Sequence, residues 1–195
     1  MIKNYKKNLE LLTKNNVYCS EMEHDACGVG LIASTEGKKS RAVVDYGIEA
    51  LKAVWHRGAV DADGKTGDGA GIHLEIPKDF FIEKIQVTGH DYDKSEICVG
   101  MIFLPRNDYS SQEKCKTIVE SELTKNDFSI YGWRQVPVNP KVLGEKALQT
   151  MPEIIQVLFK PNDLNLVDKE LERKIYETRK KIENKAFNLS LNNFY

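Results

Sequence analysis

The order of the apolar runs predicts an α+β fold, with helices packed on a mainly antiparallel sheet. Strands and helices do not alternate as in a doubly wound sheet, and helices come between pairs of strands. Composition agrees with a globular chain: 41% of the 195 residues are hydrophobic and 29% charged, ordinary values for a folded domain. That length suffices for one sizeable domain, or one and a part.

Residues 1–26 are polar and rich in Lys and Asn, ending in SEMEHDA; they read as a leader. Cys27 to Ser34 (CGVGLIAS) is a short apolar run that predicts a buried strand, and TEGKK after it is a turn. A helix follows from about Ser40, which can cap it. Val44, Ile48, Leu51 and Trp55 recur at helical spacing to give one buried face. The stretch HRGAVDADGKTGDGAGIHLEIP is dense in Gly and Asp, then turns into an alternating strand at Ile72, Leu74 and Ile76. Pro77 to about Val87 predicts a short helix with Pro in its first turn. Ile97–Leu104 predicts a second buried strand. Ser111–Lys125 reads as a helix with Cys115, Ile118, Val119 and Leu123 inward. Strands are expected over Phe128–Val138 and Ile154–Phe159, then a long charged helix from Asp168 to about Asn184 with Leu171, Ile175 and Ile182 on one stripe. Phe194 and Tyr195 resemble the start of another strand.

Formal net charge is −1, from 28 basic and 29 acidic side chains, which gives no electrostatic reason to expect nucleic acid or an anionic membrane as partner. No apolar run approaches the roughly 20 residues that span a bilayer. The first 16 residues lack the apolar core of a secretory signal and the Arg-rich, acid-poor composition of a transit peptide, so a cytoplasmic location is expected. Four cysteines, Cys19, Cys27, Cys98 and Cys115, show no CxxC pair and no His at zinc-ligand spacing. No metal site and no disulfide framework are expected.

Cys27 is the strongest candidate for chemistry. A small buried hydrophobe at a strand start is the bland reading. Two features favour function: Gly28 and Gly30 strip side chains from its surroundings, and Cys27 stands where the leader gives way to core. Cleavage between Ala26 and Cys27 would give it a free α-amine with a pKa near ~7.7–8.0. One residue would then supply both nucleophile and general base, as in N-terminal threonine enzymes. The second candidate is His56-Arg57-Gly58-Ala59 with Gly67-Asp68-Gly69-Ala70-Gly71. A basic residue before Gly58 also describes an ordinary helix C-terminus. A phosphate loop is a poor reading, because GxxxxGK[ST] is absent and Asp61, Asp63 and Asp68 would repel an anion. DADGKTGDG lacks the spacing and closing Glu of an EF-hand. His24, His73 and His90 form no usable pattern, and core packing accounts for Cys98 and Cys115.

HDACGVGLIAS, HRGAVDADGKTGDGAGI, GWRQVPVN and LGEKAL, in this order and spacing, resemble the front of glutamate synthase large subunits. Those subunits begin with a class II glutamine amidotransferase domain of the N-terminal-nucleophile type. The resemblance runs from about residue 22 to the end, with 1–26 as propeptide and 27–195 as the N-terminal part of the domain. It implies a four-layer αββα sandwich, two antiparallel sheets between helices. It implies Cys27 as the nucleophile exposed by propeptide removal, and Arg57 and Gly58 as the HRG signature beside it. The implied reaction is hydrolysis of the side-chain amide of L-glutamine through a thioester on Cys27. The ammonia would pass to distant synthase domains, where 2-oxoglutarate becomes glutamate. FMN and an iron–sulfur cluster are implied for the full-length protein and none for this chain; a small NAD(P)H-oxidising subunit is an implied partner. The oxyanion-hole Asn-Gly pair and the substrate-holding Arg and Asp of such enzymes have no match here. The domain is therefore expected to be C-terminally truncated in this chain and inactive alone. The rival reading is a non-catalytic amidotransferase-like remnant or binding module.

Overall fold

The computed structural model describes residues 28–54, 60–191 and 194–195. The chain divides into two units, Met1–Gly58 and Ala59–Tyr195. In the first, helix α1 (Arg41–Ala53) starts where its cap dictates: Ser40 is extended and its hydroxyl accepts the Ala42 N–H at 3.2 Å. That bond satisfies one of the orphan donors of a helix start. Val44, Ile48 and Leu51 are half-buried and form the expected stripe, whereas Trp55 lies outside the described residues.

The strand expected from Cys27 to Ser34 is absent over its described part, Gly28–Ser34, where Val29 and Leu31 are 94% and 89% exposed. Apolar content alone does not make a strand: its N–H and C=O groups need a ladder partner. Helix α1, the described helix of this unit, offers none.

The second unit holds the sheet. Helix α2 (Lys78–Val87) follows Pro77, which stands at the cap position and so needs no backbone donor. Strand β1 (Cys98–Leu104) precedes helix α3 (Tyr109–Lys125), then β2 (Phe128–Gln135), a 3₁₀ turn at Pro140–Val142, helix α4 (Glu145–Thr150), β3 (Glu153–Pro161) and helix α5 (Asp168–Asn188). Asp108 draws the start of α3 back to Tyr109. Its carboxylate accepts from the Ser111 N–H at 3.0 Å and the Ser111 hydroxyl at 2.6 Å. The alternating segment Ile72–Ile76 is not a strand; Ile72 and Leu74 are exposed, while Ile76 packs under α2. Its apolar alternation in sequence has neither a pairing partner nor an alternating burial to match.

The strands form one antiparallel sheet in the order β1-β3-β2, as the α+β reading requires. The second sheet of a four-layer sandwich has no counterpart among the described residues. Side-chain alternation divides the core between the faces. Cys98, Phe128, Val157 and Phe159 meet Val119 and Leu123 of α3 and Leu171 of α5 on one face. Leu158 and Tyr131 meet Phe81 and Ile85 of α2 on the other. A bulge between Ile130 and Gly132 inserts Tyr131 and switches the parity of β2, so that Phe128 and Trp133 share a face. Gly132 is required there: its φ is +149°, and a Cβ would stand 2.8 Å from Thr88 Cγ2.

Phe194 and Tyr195 begin to do what their sequence suggests. Phe103 N–H donates to Tyr195 O at 2.8 Å, and Tyr195 N–H donates to Phe103 O at 3.1 Å. This is one antiparallel rung on the outer edge of β1. Phe194 meanwhile packs against the core beside Ile102 and Trp133.

Charged groups stitch the layers together. Glu122 of α3, nearly buried, is paired with Lys185 of α5, whose ammonium holds the carboxyl below its usual range. Beneath the sheet's other face, Asp93 accepts from the Ser95 N–H and hydroxyl and from Tyr131 OH at 3.1 Å, and it pairs with Lys160. These donors, Lys160 first, hold the Asp93 carboxyl well below the ordinary range. They fasten the 89–96 connection to β2 and β3.

Candidate functional site

Of the residues the sequence nominates for chemistry, Cys27, Arg57 and Gly58 all lie outside the described residues. The structure does decide what two other cysteines are. Cys98 sits in β1 within the core, where burial pushes its thiol up to about 12. Cys115 sits on the inner face of α3, and burial pushes its thiol up as well. A nucleophile or a cluster ligand must be a thiolate, which burial in apolar surroundings disfavours. Both pack in the core, as the sequence suggests for them.

The Gly- and Asp-rich stretch after the HRG segment takes a definite form. Val60 and Gly67 make an antiparallel bridge, and between them the chain closes a tight turn. Asp61 N–H donates to Thr66 O at 2.7 Å, Gly64 N–H donates to Asp61 O at 2.9 Å, and Gly64 has φ +69°. Asp63 folds back over the turn. One carboxylate oxygen accepts from the backbone N–H groups of Lys65 (3.0 Å) and Thr66 (2.7 Å), and the other from the Thr66 hydroxyl at 2.5 Å. These bonds, the Thr66 hydroxyl first, hold the Asp63 carboxyl well below its ordinary range. The Asp63 carboxylate is thus engaged within the turn itself.

This turn docks on the start of α4, within the LGEKAL segment. Gly144 stands at the N-cap of helix α4 and has no side chain to cap it. Lys146 Nζ reaches both carboxylate oxygens of Asp61, each at 2.7 Å. Gly144 permits the approach: a Cβ there would lie 2.5 Å from the Thr66 nitrogen and collide with Thr66 Oγ1 and Asp63 Oδ2. Neither DADGKTGDG nor LGEKAL predicts from its own residues that the two meet. No local signal marks the contact, since Gly is itself an accepted residue at a helix start.

Comparison with known proteins decides the family. A model of the family described as "Glutamine amidotransferases class-II" matches residues 27–195. The chain belongs to that family. The match opens on Cys27 and takes in both partners of the docked turn. Among curated relatives of this amidotransferase, the glutamate synthase [NADPH] large chain of Azospirillum brasilense is 49% identical over 194 residues, covering 100% of this chain and 13% of the relative. The ferredoxin-dependent glutamate synthase 1, chloroplastic/mitochondrial, of Arabidopsis thaliana is 41% identical over 162 residues, 83% of this chain and 10% of the relative. The ferredoxin-dependent glutamate synthase of Pyropia yezoensis is 37% identical over 174 residues, 89% of this chain and 11% of the relative. The amidotransferase chain thus spans about a tenth of the length of the relatives it matches. Among its described residues, no helix is long and apolar enough to cross a membrane.

Proposed function

We propose that this region is the glutaminase part of a glutamate synthase, with Cys27 as its nucleophile. The observation that carries the reading is the extent of the amidotransferase match, which begins on Cys27 and leaves residues 1–26 outside. Removal of 1–26 as a propeptide frees the α-amine of Cys27. With a pKa near ~7.7–8.0, that amine accepts the thiol proton at neutral pH. The thiolate attacks the side-chain carbonyl carbon of L-glutamine. The C–N bond then breaks, the amine returns its proton to the departing nitrogen, and ammonia leaves a glutamyl thioester. Water cleaves the thioester to glutamate and restores the thiol. Arg57 and Gly58 stand beside the nucleophile in this account. Synthase domains elsewhere in the full-length protein consume the ammonia with 2-oxoglutarate. FMN and the iron–sulfur cluster belong to those domains, and no step here passes through them. The words "large chain" in the bacterial relative's name support a small NAD(P)H-oxidising subunit as partner. The cytoplasm is the proposed location, on the leader's lack of an apolar core.

The test is the N-terminus of the active protein. Mass spectrometry of full-length protein purified with glutaminase activity is expected to find Cys27 as the first residue. An intact Met1 start in fully active protein would overturn the maturation step and, with it, the α-amine as base.

A further inference from the structure

The order of the sheet calls for a strand that the described residues only begin. β1 leads through α3 to β2, and β3 lies between these two strands, antiparallel to both. β3 then leads into α5, which packs on the same sheet face as α3. Two interleaved crossovers of this kind make the split β-α-β motif, β-α-β-β-α-β. Its second crossover, from β3 through α5, ends in a strand parallel to β3, and the outer side of β1 is the place for it.

Two observations put the chain at Tyr195 on that course. Both backbone groups of Phe103 bond Tyr195. Backbone groups alternate in direction along a strand, so Val99 and Met101 present theirs to the same side of β1, where no described strand lies. In that register Phe194 falls opposite Leu104, and its side chain does pack with the cluster of Leu104, Cys115 and Ile102 on the helix-covered face. β1 itself reads CVGMIFL, seven residues without a charge. An uncharged, regular edge of this kind is a template for another strand.

We propose that the outer edge of β1 is the docking edge for the segment that follows Tyr195 in the full-length protein, which runs antiparallel to β1 as the fourth strand of this sheet. The relatives, of which this chain covers 10–13%, have ample polypeptide to supply it. The Phe103–Tyr195 rung sets the register. The first residue after Tyr195 stands opposite Ile102 and faces α3 and α5; the second stands opposite Met101 and faces away. β1 becomes an interior strand. The pairing is independent of the chemistry proposed for Cys27.

The first test needs no substitution. Hydrogen exchange of full-length protein, resolved to single amides, is expected to find Val99 and Met101 slowed by about 100-fold or more relative to unstructured amides, like Gly100 and Ile102, which point to β3. Exchange of Val99 and Met101 at the unstructured rate would overturn the proposal. A pair of cysteines then identifies the occupant. Ile102→Cys and a cysteine at the first residue after Tyr195 are directly opposite, at a Cα separation of about 4.5 Å that a disulfide can span. Oxidation followed by peptide mapping is expected to find the two linked within one chain. A cysteine one residue further along points to the other face, and its linkage to Cys at position 102 is expected to be about 10-fold lower or less. Equal linkage at the two positions, linkage at neither, or a link between two copies would overturn the proposed register and partner.

Discussion

Cys27→Ser is expected to remove glutamine-dependent activity from the full-length protein, by on the order of 10⁴-fold or more, the scale set by loss of a nucleophile in hydrolases. A serine hydroxyl is a much weaker nucleophile than a thiol at neutral pH, and the α-amine alone does not make up the difference. The same change at Cys98 or Cys115 acts on packing instead. Both thiols are buried and held protonated by that burial, on elements that form the core. Glutaminase assays with the three variants side by side check this. Equal loss in all three would mean that the assay reads folding, and the assignment of Cys27 would lose its support.

The second large effect is structural. Phe128 is 1% exposed at the start of β2, edge-on to Phe159 with ring centroids 5.3 Å apart, and Lys174 lies over its ring at 5.5 Å. It joins β2, β3, α3 and α5 in one cluster. Phe128→Ala is expected to cost about 3–5 kcal/mol, as lost burial plus the cavity left behind, against a total stability of about 5–15 kcal/mol for a domain. Met101 lies on β1 but is 46% exposed; Met101→Ala is expected to change little. Native-state hydrogen exchange at the β3 amides of the full-length protein is the readout. Protection should fall by two orders of magnitude or more for Phe128→Ala, since each 1.4 kcal/mol is a factor of ten. Protection unchanged by Phe128→Ala would mean that the sheet does not depend on this cluster.

The sequence was most informative where the signal is local. The inner face of α3 follows from spacing alone: Cys115, Ile118, Val119 and Leu123 are all buried. Ser40 caps α1 because its side chain needs only the next turn of its own helix. Partnership was not legible. Gly28–Ser34 and Ile72–Ile76 have the apolar content or alternation of strands and are not strands, because neither property names the neighbour that completes a ladder. The bulge at Tyr131 was equally hidden, since a parity switch shows only once Ile130 is seen opposite Phe159 and Gly132 opposite Leu158. At the site, the chemistry of Cys27 could be argued from residue type and surroundings. The contact between the Asp61–Thr66 turn and α4 was not legible either, because Asp61 and Lys146 are 85 positions apart and nothing local to either predicts the other.

The account turns on one thiol, so the most direct measurement is to trap it. Full-length protein treated with a thiol-alkylating diazoketone analogue of glutamine, then digested and mapped by mass spectrometry, is expected to carry one adduct. It should lie on Cys27, on a peptide whose first residue is Cys27, and excess glutamine should prevent it. An adduct on Cys98, Cys115 or Cys19, or labelling of Cys27 that glutamine leaves unaffected, would contradict the assignment of this thiol as the glutaminase nucleophile.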